Sequence, residues 1–217
     1  MSKPPASWRQ PRPSPSFSDP ARMDQPGAEV HILSKLRHGL PKARAYHNFS
    51  HTLDVYRSVV SNATHAGIEG EDLDLLRTAA LYHDSGFLIR DEEHEEASCV
   101  LAREALPRFG YNEPQIERVC GLVMATKVPQ RPQDGLAMLL CDADLDYLGR
   151  SDFFRIGTTL FRELRNYGKL STEREWNELQ VRFLEAHRYF TPLSLNEREP
   201  VKQRHLAMVK KWLDENP

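Results

Sequence analysis

A run of apolar residues at helical spacing leads directly into a histidine and an aspartate. Leu73, Leu75, Leu76, Ala79 and Ala80 precede the stretch Leu81-Tyr82-His83-Asp84-Ser85-Gly86-Phe87. At about 3.6 residues per turn, each residue is rotated by roughly 100° from the last. The apolar arc of that wheel centres close to His83, with Asp84 on its flank, and Gly86 then ends the helix. An imidazole and a carboxylate are thus carried inward side by side. Burying both without partners costs several kcal/mol. For an isolated pair, a core histidine bonded to its neighbour is explanation enough. Further polar groups delivered to the same place by other helices call for more.

The same periodicity runs through the chain from Glu29 onward. Val30, Leu33, Leu36 and Leu40 form a first amphipathic helix, stopped by Pro41, and Asn48 or Ser50 caps a second that carries Val55, Val59 and Ala63. The helix of His83 is third. A fourth opens in the acidic cluster Asp91 to Glu96 and runs to Leu106; a fifth starts at Asn112-Glu113-Pro114 and is ended by Pro129. A sixth holds Leu136, Leu139 and Leu140 and continues to Leu148. Ser151-Asp152 caps a seventh, Thr172-x-x-Glu175 is a capping box for an eighth, and the last carries Leu206, Val209 and Leu213. No alternating strand pattern extends beyond a few residues. The fold predicted is all-α.

Seven of the fifteen prolines fall before residue 27, among several serines and few apolar residues. Such a segment has too little to bury to order itself. The expectation is a disordered tail over residues 1–27, followed by one helical domain over residues 28–217. A net charge of -2 argues against an electrostatic grip on nucleic acid or anionic lipid. No apolar run approaches the roughly 18 to 20 residues of a membrane span. Cys99, Cys120 and Cys141 are odd in number and form no C-x-x-C pair, which indicates neither a disulfide framework nor a zinc ribbon. With no secretory leader pattern, a reduced, cytoplasmic setting is the default expectation.

Two further helices send polar groups inward. On a wheel drawn through Leu136 to Leu148, Leu136, Ala137, Leu140 and Tyr147 surround Asp144, whereas Asp142 and Asp146 fall together on the polar side. Asp144 is therefore the expected buried carboxylate, and its two neighbours are read as solvated or capping. His51 sits in the first turn of its own helix. Carboxylates in an apolar interior need a cation, and no single lysine or arginine is placed to serve all these groups. One divalent ion held by His51, His83, Asp84 and Asp144 would satisfy all four. Mixed nitrogen and oxygen ligation without thiolate suits Mn, Fe, Co, Ni or Zn.

This ordered set resembles the HD superfamily of metal-dependent phosphohydrolases. Tyr46-His47-Asn48-x-x-His51, Ala80-Leu81-Tyr82-His83-Asp84-Ser85-Gly86 and Asp142-Ala143-Asp144-Leu145-Asp146-Tyr147-Leu148-Gly149 are similar to segments of its small, stand-alone bacterial members. The resemblance implies an all-helical HD fold over residues 29–215, a metal on His51, His83, Asp84 and Asp144, and hydrolysis of a phosphate ester. A nucleotide or related small phosphate is the expected substrate and partner. A metal-stabilised nucleotide sensor without turnover is the alternative. An HD-type iron oxygenase would ask for a second metal and further histidines, of which only His94 is obvious.

Around that centre, Asp84 is the candidate to orient or deprotonate water. His94 and Glu95 are candidates for a general acid or an added ligand. Lys127 either reaches a phosphate oxygen or turns outward to hold the end of its helix. Arg150 and His187 are weaker candidates for substrate contact. His47, four residues before His51, is read as positional because it precedes the helix start.

Overall fold

The structure, a computed structural model, describes residues 23–217. Ten α-helices follow one another: α1 (Gln25–Gly39), α2 (Phe49–His65), α3 (Gly70–Tyr82), α4 (His94–Ala105), α5 (Glu113–Ala125), α6 (Gly135–Asp144), α7 (Phe153–Asn166), α8 (Glu173–Ala186), α9 (Pro192–Glu197) and α10 (Glu199–Glu215). Short 3-10 turns occupy Ser85–Leu88, Leu106–Phe109 and Asp146–Gly149. No strand occurs among the described residues, so the all-α expectation holds. No described helix is long and apolar enough to cross a membrane.

Local chemistry sets most helix starts. Asn48, rather than Ser50, caps α2 by accepting from the Ser50 and His51 N–H groups. Asn112 with Gln115, and Thr172 with Glu175, close reciprocal capping boxes on α5 and α8. Three boundaries differ from the sequence expectation. α1 begins at Gln25, within the expected tail, because Pro26 sits in the first turn where its missing N–H is not needed, and Asp24 accepts from Gly27 N–H. The rest of that tail lies outside the described residues. α4 starts at His94, three residues late, after Glu93 takes a left-handed φ of 51°. α6 stops at Asp144 instead of continuing to Leu148.

α3 is the central strut. Leu75, Leu76, Ala79, Ala80, Leu81 and Tyr82 are all buried, and the helix packs against α1, α2, α5 and α6. Each fully buried leucine contributes about 1.5–3 kcal/mol. Together α1 to α6 build one apolar cluster. A second forms from Tyr46, Leu148, Phe153, Leu184, Tyr189, Leu206 and Val209, with α10 packed on α8 and on the Asp146–Gly149 turn.

Where α3 ends, the chain turns against α4 at Gly86. A Cβ there would lie 1.8 Å from the His94 carbonyl oxygen, so only glycine permits this approach. Ser98 Oγ stitches the junction, donating to the His83 carbonyl at 2.8 Å and accepting from Gly86 N–H at 2.7 Å. Gly86→Ala is expected to cost about 3 kcal/mol in urea unfolding, as overpacking against backbone. Ser98→Ala, which removes two buried bonds without a clash, is expected to cost about 1–2 kcal/mol.

Candidate metal centre

Three helix ends converge. α2 offers His51 from its first turn, α3 hands over to His83 and Asp84, and α6 finishes on Asp144. His51 Nε2 lies 3.4 Å from His83 Nε2, 3.4 Å from Asp84 Oδ2 and 3.3 Å from Asp144 Oδ1. His83 Nε2 is 3.3 Å from Asp84 Oδ2 and 3.5 Å from Asp144 Oδ1. One ligand atom each from His51, His83 and Asp144 fits within a 4.8 Å span.

The orientation of His83 fixes what the cluster offers. Its Nδ1 lies 2.8 Å from the Ala80 carbonyl oxygen, which can only accept, so the hydrogen is on Nδ1. Nε2 then turns a lone pair on the centre, the arrangement of a metal-ligating histidine. Asp84 Oδ2 is buried without a hydrogen-bond donor. Among the described residues, no lysine or arginine pairs with Asp84 or Asp144. Inward lone pairs and an orphaned carboxylate oxygen fit a divalent cation with nitrogen and oxygen ligands.

The electrostatics agree. Burial opposes charge on His83, but Asp84 and Asp144 outweigh it and hold its pKa well above the ordinary value; His51 is raised by the same two carboxylates. Asp84 is held well below the carboxylate range by His83, His51 and His94 against its burial, and Asp144 is pulled down to about 2 by His51 and His83. The negative potential that lifts both imidazoles is the potential a divalent ion would meet.

Beside the centre lies a cavity of about 420 Å³, lined at one end by His47, Asp84, His94, Glu95 and Asp144. Asp84 turns its second oxygen to His94, whose Nε2 is 3.3 Å away and whose ring stacks on Phe87 at 3.9 Å. Glu95 is buried, 3.4 Å from His94. Lys127 stands at the rim, but its ammonium is paired with Glu96 at 2.6 Å.

Two expected substrate contacts are displaced. Arg150 does not line this cavity: its guanidinium is taken up by Asp54 at 2.7 Å, Asp146 at 3.3 Å and Asp152 at 3.0 Å. His187 lines a separate, smaller cavity, and burial together with Lys202 lowers its pKa to about 4. The reading of Asp142 and Asp146 as solvated is also overturned. Asp142 is fully buried and accepts from Phe190 N–H, Thr191 N–H and Thr191 Oγ1 at 2.9, 2.9 and 2.6 Å. Asp146 is buried against Arg198, Arg150 and Ser58. The wheel misplaced Asp142 because α6 is covered on its second side by the chain around Thr191, and Asp146 because the helix ends before reaching it.

A dyad escaped the sequence reading. Buried Glu163 accepts from the Tyr46 and His47 N–H groups at 2.8 and 2.9 Å, from Arg44 at 2.9 Å, and from His47 Nδ1 at 2.6 Å. His47 therefore lines the cavity with its ring oriented by a carboxylate and Nε2 left for a ligand. A signal existed: Glu163 lies at helical spacing from Phe153, Ile156 and Leu160, on the buried face of α7.

These features define an all-α protein with a buried His/Asp centre. The HD domain family model matches residues 48–146, which span all four converging residues, so this segment is similar to an HD domain. HD domains are for the most part metal-dependent phosphohydrolases. No curated protein and no solved structure matches the chain.

Alanine at His51, His83 or Asp144 is expected to abolish uptake of Mn²⁺ or Zn²⁺ in calorimetric titration while leaving the helical circular dichroism signal. Glu163 gives a pH signature. Although burial opposes it, His47 and the two backbone donors depress its pKa from 4.5 to about 2. Its contribution is present above the unfolded value and disappears as pH falls toward 2. Glu163→Gln should lower unfolding free energy by about 2–3 kcal/mol at pH 7, the gap closing by pH 2.

Proposed function

We propose that this chain is a metal-dependent phosphomonoesterase, with one divalent ion held by His51, His83, Asp84 and Asp144. The convergence of buried His51, His83 and Asp84 with half-buried Asp144, and no lysine or arginine to balance them, carries this reading. Such an ion supplies Lewis acidity toward a phosphoryl oxygen and lowers the pKa of water. The remaining work falls to side chains. Asp84, backed by His94 and Glu95, orients the attacking water and takes up its proton. His47, held by Glu163, donates a proton from Nε2 to the departing ester oxygen. A bond forms between water oxygen and phosphorus, the ester P–O bond breaks, and an alcohol and inorganic phosphate leave. Residues 28–217 act as one unit in this reading, because the cavity is lined both by residues within the matched 48–146 segment and by residues of α7 and α8 beyond it. The reaction suits a soluble cytoplasmic enzyme acting on a small molecule.

The test is to measure bound metal after chelator-free purification and to screen phosphoesters with each of Mn²⁺, Fe²⁺, Co²⁺, Ni²⁺ and Zn²⁺. Turnover lost in His83→Ala and Asp84→Ala supports the reading; turnover that survives both ends it. Binding without product under every ion would leave a sensor. Two ions per chain would bring His94 and Glu95 into the ligand set.

The proposed role of His47 has its own signature. His47→Ala should lower kcat for alkyl phosphates by about 10²–10³-fold, as expected for loss of a general acid. The loss should be under about tenfold for 4-nitrophenyl phosphate, whose leaving oxygen needs no proton.

A further inference from the structure

The walls of the cavity beyond the acidic end are apolar. Leu160, Trp176, Leu179, Phe183 and Leu184 come from α7 and α8, outside the residues matched by the family model. Four carboxylates line the cavity, those of Asp84, Glu93, Glu95 and Asp144, against one fixed positive charge, Lys127, already paired with Glu96. A divalent ion at the centre offsets two of those carboxylates and engages one phosphate. A second or third phosphate has no cation left to meet, and Glu93 and Glu95 repel it. Ribose hydroxyls would give up water for a wall of leucines and aromatic rings, at a cost in affinity.

The geometry points to a phosphate monoester with an apolar body as the substrate, its hydrocarbon seated between α7 and α8, in preference to a nucleoside polyphosphate. This assignment rests on the phosphomonoesterase reading and narrows it. A volume of about 420 Å³ lies within the range of pockets that enclose small organic ligands. Leu160, Leu179 and Phe183 are only partly buried, so part of the apolar wall is accessible for a ligand to cover. Each methylene sheltered from water is worth about fourfold in binding.

The experiment compares ethyl, butyl and hexyl phosphate, which share a leaving-group class, with AMP, ATP and guanosine tetraphosphate. In parallel, ethyl- and hexylphosphonate are titrated calorimetrically into the metal-loaded protein. The expected result is a rise in kcat/KM approaching about 250-fold from ethyl to hexyl phosphate, four methylenes at about fourfold each. Hexylphosphonate should bind tighter by a similar factor, and ATP should be the poorest substrate. Leu179→Asn and Phe183→Ser, both on the accessible wall, should flatten the chain-length dependence without altering the melting temperature by more than a few degrees. A nucleotide turned over better than hexyl phosphate overturns the assignment and leaves the phosphomonoesterase reading intact. No turnover of any ester, with hexylphosphonate still bound tighter than ethylphosphonate, ends that reading while the apolar chamber stands. Absence of chain-length dependence in both rate and binding overturns the assignment outright.

Discussion

Two carboxylates and two imidazoles within a few ångströms of one another, with no lysine or arginine among them, set the terms for the rest of this structure. Leaving ionised carboxylates in an apolar interior is among the most costly arrangements a fold can hold. The surrounding helices accept it because each donor sits at a helix end: His51 at the start of α2, His83 and Asp84 at the close of α3, Asp144 at the close of α6. Backbone groups there are only partly used within the helix. The chain can therefore turn tightly enough to aim side chains at a common point, and the glycine contact at Gly86 and the Ser98 bridge hold the turn after His83 in place.

A second layer of polar residues fixes the first. Glu163 gathers Tyr46, His47 and Arg44, and so anchors the segment that leads into His51. Tyr46 then packs its ring on His51 at 4.6 Å. Arg44 in turn lies over the Phe87 ring and pairs with Asp91. One buried carboxylate on α7 thus links the loop before α2 to the turn after α3.

Much of this was legible from the residues alone. Nine of the ten helices among the described residues and most of their starts follow from periodicity and capping, which are local; α9, six residues long, carries too short a stripe to be read that way. The inward paths of His83 and Asp144 followed from the wheel because both lie on faces with apolar neighbours on the same helix. Asp142 and Asp146 defeated the same method: a wheel reports one helix in isolation, whereas α6 is buried on two sides and ends before Asp146. Arg150 and Lys127 illustrate a different limit. A long cationic side chain goes to whichever carboxylate the fold brings near, and Asp54, some hundred positions from Arg150, cannot be paired with it from spacing. Glu163 lies on an apolar stripe of α7, but residue type alone does not distinguish a buried carboxylate there from a break in the stripe.

The three aspartates at the end of α6 each face a different way. Asp144 turns to the His/Asp cluster, Asp142 clasps the backbone at Phe190 and Thr191, and Asp146 holds Arg198 at the head of α10. The matched domain stops at residue 146, yet two of these clasps reach past it. Severing the chain there would strand two sequestered acids at the very turn that aims Asp144. The terminal helices are in that sense part of the keystone and not an appendage, and an excised 48–146 segment would have lost the braces that keep its own centre in register.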